Sequence, residues 1–393
     1  MGTDPVAVTL MRGGTSKGVY CRLPDLPPRG PELDSLVLAL LGSPDPMQLD
    51  GLGGTHSSTS KLMVVGTTDE ARDAGWPVST DDVDLAYAFA QVGIATPVVD
   101  WMANCGNLTA AVAPYAALQG VIETTNPLTR VRMLNLNTSV VIEVEFPTEN
   151  GEPAVTGDHV IPGVPGAGAR IDIRFLNPAG GDSGRPVLPT GRRSEIVHVG
   201  TEEYEVSILD VNNPVVVVTA ASVGLTGSEL PADLNRDTAF LALLDAIRCA
   251  AAVRMGLAPD VESAPKLTPG IPRVIVVSRP HDHISALGDR IGTADCDLVA
   301  RMTSMGSVHH AMPGTGLTVV AVASRLKGTV AERVTSTGAG SDVRLAHPKG
   351  VVTAASEIDD SGATPVVAHV AVSRTARRLM TGLAYPRPGA VTG

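Results

Sequence analysis

Asn104-Cys105-Gly106-Asn107-Leu108-Thr109-Ala110 is a turn of small residues that runs straight into an Ala/Val-rich helical pattern, Leu108 to Leu118. The chain repeats the design loosely in Met312-Pro313-Gly314-Thr315-Gly316-Leu317-Thr318, ahead of a second helical pattern, Leu317 to Arg325. A further echo travels with the first. The strand-like run Lys61-Leu62-Met63-Val64-Val65 returns as Arg273-Val274-Ile275-Val276-Val277, at nearly the same distance along the chain. Two echoes at nearly one offset indicate a duplicated domain.

Other β-branched runs, Val140 to Val144, Val215 to Val218 and Val366 to Val372, alternate with the helical patterns and give an α/β or α+β texture. A length of 393 residues exceeds what one hydrophobic core usually organises, so two domains are expected. The divide falls in the Gly/Pro-rich stretch Pro178 to Pro189, where Gly180-Gly181-Asp182-Ser183-Gly184 has linker composition. The expected domains are therefore 1–185, completed by the C-terminal segment 371–393, and 186–370.

A net charge of −11 and an aromatic content of only 3% argue against nucleic acid, which needs basic surface and stacking platforms. The longest apolar runs, such as Val215 to Ala221, fall far short of the ~20 residues that a bilayer span requires. No charged-then-apolar leader precedes Val6-Ala7-Val8-Thr9-Leu10. The four cysteines, Cys21, Cys105, Cys249 and Cys296, show neither metal-ligand nor disulfide spacing, so a reducing cytoplasm is expected.

The chemistry is carried by the turns. Backbone N–H groups at each helix start have no partner within the helix and attract carboxylates, and glycine lets an anion approach closely. If two duplicated domains face each other, two such ends converge on one cleft, which suits a ligand with separated carboxylates. Cys105 stands at the first helix start, where a thiol becomes acidic enough for acid/base work; the plain alternative is a small buried apolar cysteine. The matching place in the second half holds Pro313, so a symmetric two-thiol racemase is not available.

Gly51-Leu52-Gly53-Gly54-Thr55-His56-Ser57-Ser58-Thr59-Ser60-Lys61 is a run of small and hydroxyl residues ending in one cation before a buried strand. It reads as an anion cradle rather than a solvated loop. Lys61 is then either a general base, its ammonium destabilised in a cleft, or the partner of a carboxylate. Met11-Arg12-Gly13-Gly14-Thr15-Ser16-Lys17-Gly18 is a second cationic turn without phosphate-loop spacing. His309-His310 precede the second helix start, and the HxH pair His281/His283 lacks a third ligand for a metal.

Met11 to Val19, Gly51 to Val65, Asn104 to Pro114, Ser207 to Pro214, Met305 to Thr315 and Arg344 to Gly350 together resemble the PrpF family. Its members include 2-methylaconitate cis-trans isomerases, methylitaconate isomerases, aconitate isomerases and oxalomesaconate tautomerases. The resemblance implies an α+β, diaminopimelate epimerase-like fold of two similar domains, each a sheet wrapped around a central helix, with the ligand between them. It implies Lys61 and Cys105 as the proton-transfer pair. Ser16, Lys17, Ser57, Ser58, Gly106, Asn107, Arg273, His310, Gly314 and Thr315 resemble its carboxylate-binding shell. Two departures stand out: Pro313 where relatives commonly have methionine, and Trp101-Met102-Ala103 where smaller residues are familiar.

The expected function is therefore proton abstraction and return at an allylic carbon of a small unsaturated di- or tricarboxylic acid, with no metal and no cofactor. The alternatives are an epimerase or racemase of the same fold, and a tricarboxylate-binding accessory protein of an aconitase-like enzyme. The expected partner is the small polycarboxylate, with no nucleic acid or membrane, and the sequence admits a homodimer.

Overall fold

The structure, a computed structural model, describes residues 4–102, 104–179, 185–304, 306–336 and 342–387. The glycine-rich linker Gly180 to Gly184 lies outside the described residues, as do Ala103 and Met305. The chain divides into two compact units, Met1–Arg174 with Ser373–Gly393, and Phe175–Val372.

In the first unit, β1 (Val6–Gly13) and β2 (Ser16–Arg22) form an antiparallel hairpin closed at Gly13↔Ser16. Gly14 takes a φ of +51° in its turn. Helix α1 (Pro31–Leu41) starts on a proline, whose fixed φ suits a first turn, and stops at Gly42 in the left-handed region. Strand β3 (Lys61–Gly66) runs parallel to β2 and leads into α2 (Thr68–Asp73), which a capping box between Thr67 and Glu70 begins. Strand β4 (Leu85–Val92) is antiparallel to β3. Beyond β4 the sheet continues through the strands Leu128–Asn135 and Val141–Glu149. At its other end β1 pairs with the C-terminal strand Ala376–Ala384.

Helix α3 (Gly106–Leu118) is the centre of this unit. Every residue from Gly106 to Ala116 is buried, so the helix has no solvent face. It packs against β1, β2, β3, the C-terminal strand and Val141–Glu149, which means the sheet curls round it from both ends. Ala and Thr on its surface allow that close wrapping. The second unit centres on Gly314–Ala323 in the same way, with all ten residues buried.

The second sheet runs through Glu195–Val199, Glu202–Val211, Asn213–Thr219, Arg273–Ser278, Leu298–Ser304, Asp342–His347 and Gly350–Asp359. The order of pairings is antiparallel, antiparallel, parallel, antiparallel, parallel, antiparallel. From the C-terminal strand onward the first unit gives that same order. In this correspondence β3 matches Arg273–Ser278 and α3 matches Gly314–Ala323, the elements carried by the two sequence echoes. An outer helix, Thr238–Arg254, is capped by Asp237 and buries Phe240, Leu244, Ile247 and Ala251 along one stripe.

Candidate active site

In the first unit three chain segments meet at the start of α3. The β1/β2 hairpin lies directly on it: a Cβ at Gly13 would fall 2.5 Å from the Asn107 carbonyl oxygen and 3.0 Å from Leu108 Cα. On the other strand of the hairpin, a Cβ at Gly18 would meet Leu108 Cδ1 at 2.6 Å and the Lys61 carbonyl oxygen at 3.1 Å. Glycines therefore bring the hairpin, α3 and the start of β3 to backbone distance. The Ser/Thr loop joins the hairpin through the Lys17 N–H, which donates to the Ser58 carbonyl at 3.0 Å. The Lys17 Nζ lies beside Gly54 of the same loop.

Lys61 opens β3 and is only 9% exposed. Its Nζ donates to Gln91 Oε1, its direct cross-strand partner on β4, and stands 4.9 Å from the centre of the Phe89 ring. Gln91 is itself anchored, its Nε2 donating to the carbonyls of Ser57 at 3.2 Å and Ser60 at 3.0 Å. The Ser60 hydroxyl in turn donates to the Val92 carbonyl and accepts from Gln48 Nε2. Within the loop Ser58 is buried and its N–H donates to His56 Nδ1 at 3.2 Å, while Ser57 is half-buried.

Cys105 is the N-cap of α3 and is 9% exposed. Its carbonyl accepts from the Thr109 N–H at 2.9 Å and from the Thr109 hydroxyl at 3.0 Å. A buried polar network supports that turn: Tyr87 Oη contacts Asn104 Oδ1 at 3.3 Å and Thr109 Oγ1 at 3.1 Å, and accepts from Asn135 Nδ2 at 3.0 Å. Tyr20 donates to the Leu108 carbonyl at 2.6 Å. Burial, and then the proximity of Cys105, holds the Tyr20 hydroxyl well above the usual phenol range. Burial pushes the Cys21 thiol up to about 12 and the Cys296 thiol up to about 11, so both stay protonated at neutral pH.

Asn107, in the first turn of α3, donates from Nδ2 to Thr15 Oγ1 at 3.0 Å and, more loosely, to Ser16 Oγ at 3.5 Å. The hairpin thus touches the first turn of α3 at Asn107 and Leu108, the start of β3 at the Lys61 carbonyl and the Ser/Thr loop at Ser58. The sequence reading missed Gln91, Phe89, Thr15 and Arg374 in this neighbourhood. Trp101, one of the two departures, packs edge-on against Trp76 with ring centroids 5.1 Å apart and donates to Asp34 Oδ1 at 2.7 Å.

In the second unit Arg273 opens its strand as Lys61 opens β3, and its Nη1 donates to Thr315 Oγ1 at 3.4 Å. Thr315 lies in the first turn of Gly314–Ala323, whose N-cap is Pro313 at φ −57°, a value that the proline ring imposes anyway. His309 and His310 stack with ring centroids 4.5 Å apart. His281 and His283 sit in a separate polar stretch, each Nδ1 against a backbone carbonyl. Among the described residues no group of three His, Cys, Asp or Glu is arranged to hold a metal ion. No helix among them is long and apolar enough to cross a membrane.

The family described as PrpF protein matches residues 4–387. A 3-methylitaconate isomerase of Eubacterium barkeri is 36% identical over 97% of this chain and 97% of its own length. A 2-methyl-aconitate isomerase of Shewanella oneidensis is 37% identical, covering 98% and 97%. A 4-oxalomesaconate tautomerase of Pseudomonas putida is 34% identical, covering 98% and 96%. Among solved structures, methylitaconate-delta-isomerase superposes with a TM-score of 0.79 at 35% identity, covering 100% of this chain and 98% of that one. A probable proline racemase from Agrobacterium radiobacter, at 11% identity and a TM-score of 0.55 over 98% of this chain and 95% of that one, shares the fold alone.

The architecture is diaminopimelate epimerase-like, and by class the protein is an isomerase. The chain belongs to the PrpF family.

Proposed function

We propose that this chain moves a proton on a small unsaturated di- or tricarboxylic acid, of the aconitate, methylaconitate, methylitaconate or oxalomesaconate type, without a bound cofactor. The observation that carries the reading is a hairpin whose Gly13 and Gly18 lie at backbone distance from the first turn of α3, which Cys105 caps, and from the start of β3, which the buried Lys61 opens. Such a site offers two proton-transfer groups beside an anion-binding helix start. Ser16, Lys17, Ser57, Ser58, Gly106 and Asn107 are the proposed carboxylate ligands of the first unit. Arg273, His310, Gly314 and Thr315 are those proposed in the second.

In the proposed reaction one of Lys61 and Cys105 takes the allylic proton. The C–H electron pair enters the conjugated system, and the negative charge spreads onto the bound carboxylate. The other group returns a proton at the far allylic carbon, which shifts the double bond. If the intermediate first rotates and is reprotonated where it began, the outcome is cis-trans isomerisation. Oriented hydrogen-bond donors at the carboxylate stabilise the charge as it develops.

An epimerase acting through two thiols is disfavoured by Pro313, which occupies the N-cap that corresponds to Cys105. A reducing cytoplasm is the proposed compartment, and the four free, buried cysteines support it. The test is proton NMR in D₂O with trans-aconitate, cis-aconitate, 2-methylaconitate, methylitaconate and oxalomesaconate. Isomerisation of one acid with deuterium uptake is the expected result. Absence of exchange with every acid, together with measurable binding, favours the accessory-protein reading instead.

A further inference from the structure

Arg374 is an arginine in an unusual place. It stands just before the C-terminal strand and is only 3% exposed. Burial lowers its pKa to about 10, which still leaves it charged at neutral pH. Among the described residues it forms no ion pair. Its Nη1 donates to the Ser373 carbonyl at 2.8 Å and its Nε to Asn107 Oδ1 at 3.2 Å. A buried guanidinium with only neutral acceptors is an expensive arrangement unless an anion completes it.

The same contact fixes the orientation of Asn107. A guanidinium has donors only, so the amide atom that faces it is the oxygen. The Asn107 NH₂ therefore points the other way, onto Thr15 Oγ1 at 3.0 Å and Ser16 Oγ at 3.5 Å. A hydroxyl that accepts from an amide has its own proton left to donate. Both hydroxyls belong to the hairpin tip that lies over the start of α3. That tip is tied to the Arg374 segment by the Gly14 N–H and Arg12 Nη1, which donate to the Thr375 carbonyl at 3.0 and 2.8 Å. Arginine, amide and hydroxyls form a single directed chain in which each donor polarises the next.

We propose that Arg374 is a positioning residue that orients Asn107, and through it turns the Thr15 and Ser16 hydroxyl protons toward a carboxylate of the ligand. The inference rests on the proposed carboxylate site at the start of α3 and adds Thr15 to its ligands. It also gives the buried positive charge its counter-charge in the bound state.

The experiment is calorimetric titration with tricarballylate, a saturated tricarboxylate that cannot isomerise, alongside kcat and KM on the acid that the wild-type protein turns over. Hydrogen bonds to a charged group carry enough energy that Thr15→Val and Arg374→Met should each weaken binding roughly 10- to 100-fold, with kcat changed far less than KM. Because the two act along one chain, the double variant should bind little worse than either single variant. Arg374→Lys should recover part of the loss. Asn107→Asp supplies Arg374 with a counter-ion, so the fold is kept, but it turns the donor on Thr15 into an acceptor. It should melt no lower than wild type and still bind at least tenfold more weakly.

Unchanged affinity in Thr15→Val or Asn107→Asp, or fully additive losses in the double variant, overturns the relay while leaving the carboxylate site standing. A wild-type protein that binds no tricarballylate and turns over none of the acids overturns the site itself, and the relay with it.

Discussion

Lys61 and Gln91 face each other across the β3/β4 pair, the lysine ammonium donating to the amide oxygen of a side chain whose own NH₂ is tied to the Ser57 and Ser60 carbonyls. The glutamine thus links the Lys61 amine to the Ser/Thr loop. Its expected role is aim rather than chemistry. Gln91→Leu removes the acceptor and both loop bonds, and a misplacement of about 1 Å can cost 10²-fold in rate. Steady-state kinetics should show kcat lowered by roughly 10- to 100-fold with a smaller change in KM.

Cys105 and Lys61 are separable by what each variant still does. A protein without its base shows neither deuterium uptake nor product. A protein without its proton-returning group still exchanges substrate hydrogen with solvent but forms little product. Cys105→Ser and Lys61→Ala should therefore fall into opposite categories in the D₂O experiment, each with isomerisation slowed by about 10² or more.

Gly13 is held where a side chain does not fit, because its neighbours at 2.5 and 3.0 Å are backbone atoms of Asn107 and Leu108 that cannot rotate away. Gly13→Ala should lift the hairpin from α3. Overpacking of this kind destabilises by about 1–3 kcal/mol, and the thermal midpoint should drop with it. Turnover should fall further than stability, since Ser16 and Lys17 move with the hairpin.

Asp210 gives a pH-dependent stability. Its side chain is 4% exposed, its nearest cation is Arg185 at 3.9 Å, and burial raises its carboxyl to about 6. The unfolded chain ionises this group near the ordinary value of 3.8, so the folded state is penalised as the pH climbs from about 4 through 6. Asp210→Asn should therefore stabilise by up to on the order of 3 kcal/mol above pH 7 and by almost nothing at pH 4. Thermal melts across that range check the sign.

Much of the fold was legible because its two central helices start with small residues and then stay apolar on every side, a pattern that survives duplication. The matching strands β3 and Arg273–Ser278 were legible for a similar reason, a single cation followed by a fully buried run. Lys61 and Cys105, the proposed proton-transfer pair, stood out as candidates at the ends of those patterns. Gln91 was not, since only strand register reveals that it opposes Lys61. Arg374 was hidden differently: Ser373-Arg374-Thr375-Ala376-Arg377-Arg378 reads as a basic surface strand, and nothing local says that one of its arginines is buried. The linker glycines suggested a divide near 185, whereas the compact units part at Arg174/Phe175 and again at Val372/Ser373. Composition marks where a chain is permitted to bend, while long-range strand pairing decides which unit each segment joins.

The central claim is that Lys61 transfers a proton on an unsaturated polycarboxylate. It is tested most directly by following the NMR signals of the five acids in D₂O with wild-type and Lys61→Ala protein. The predicted result is isomerisation of one acid by the wild type, slowed by about 10² or more in the variant while the variant still binds tricarballylate. Isomerisation by Lys61→Ala at the wild-type rate would contradict the account.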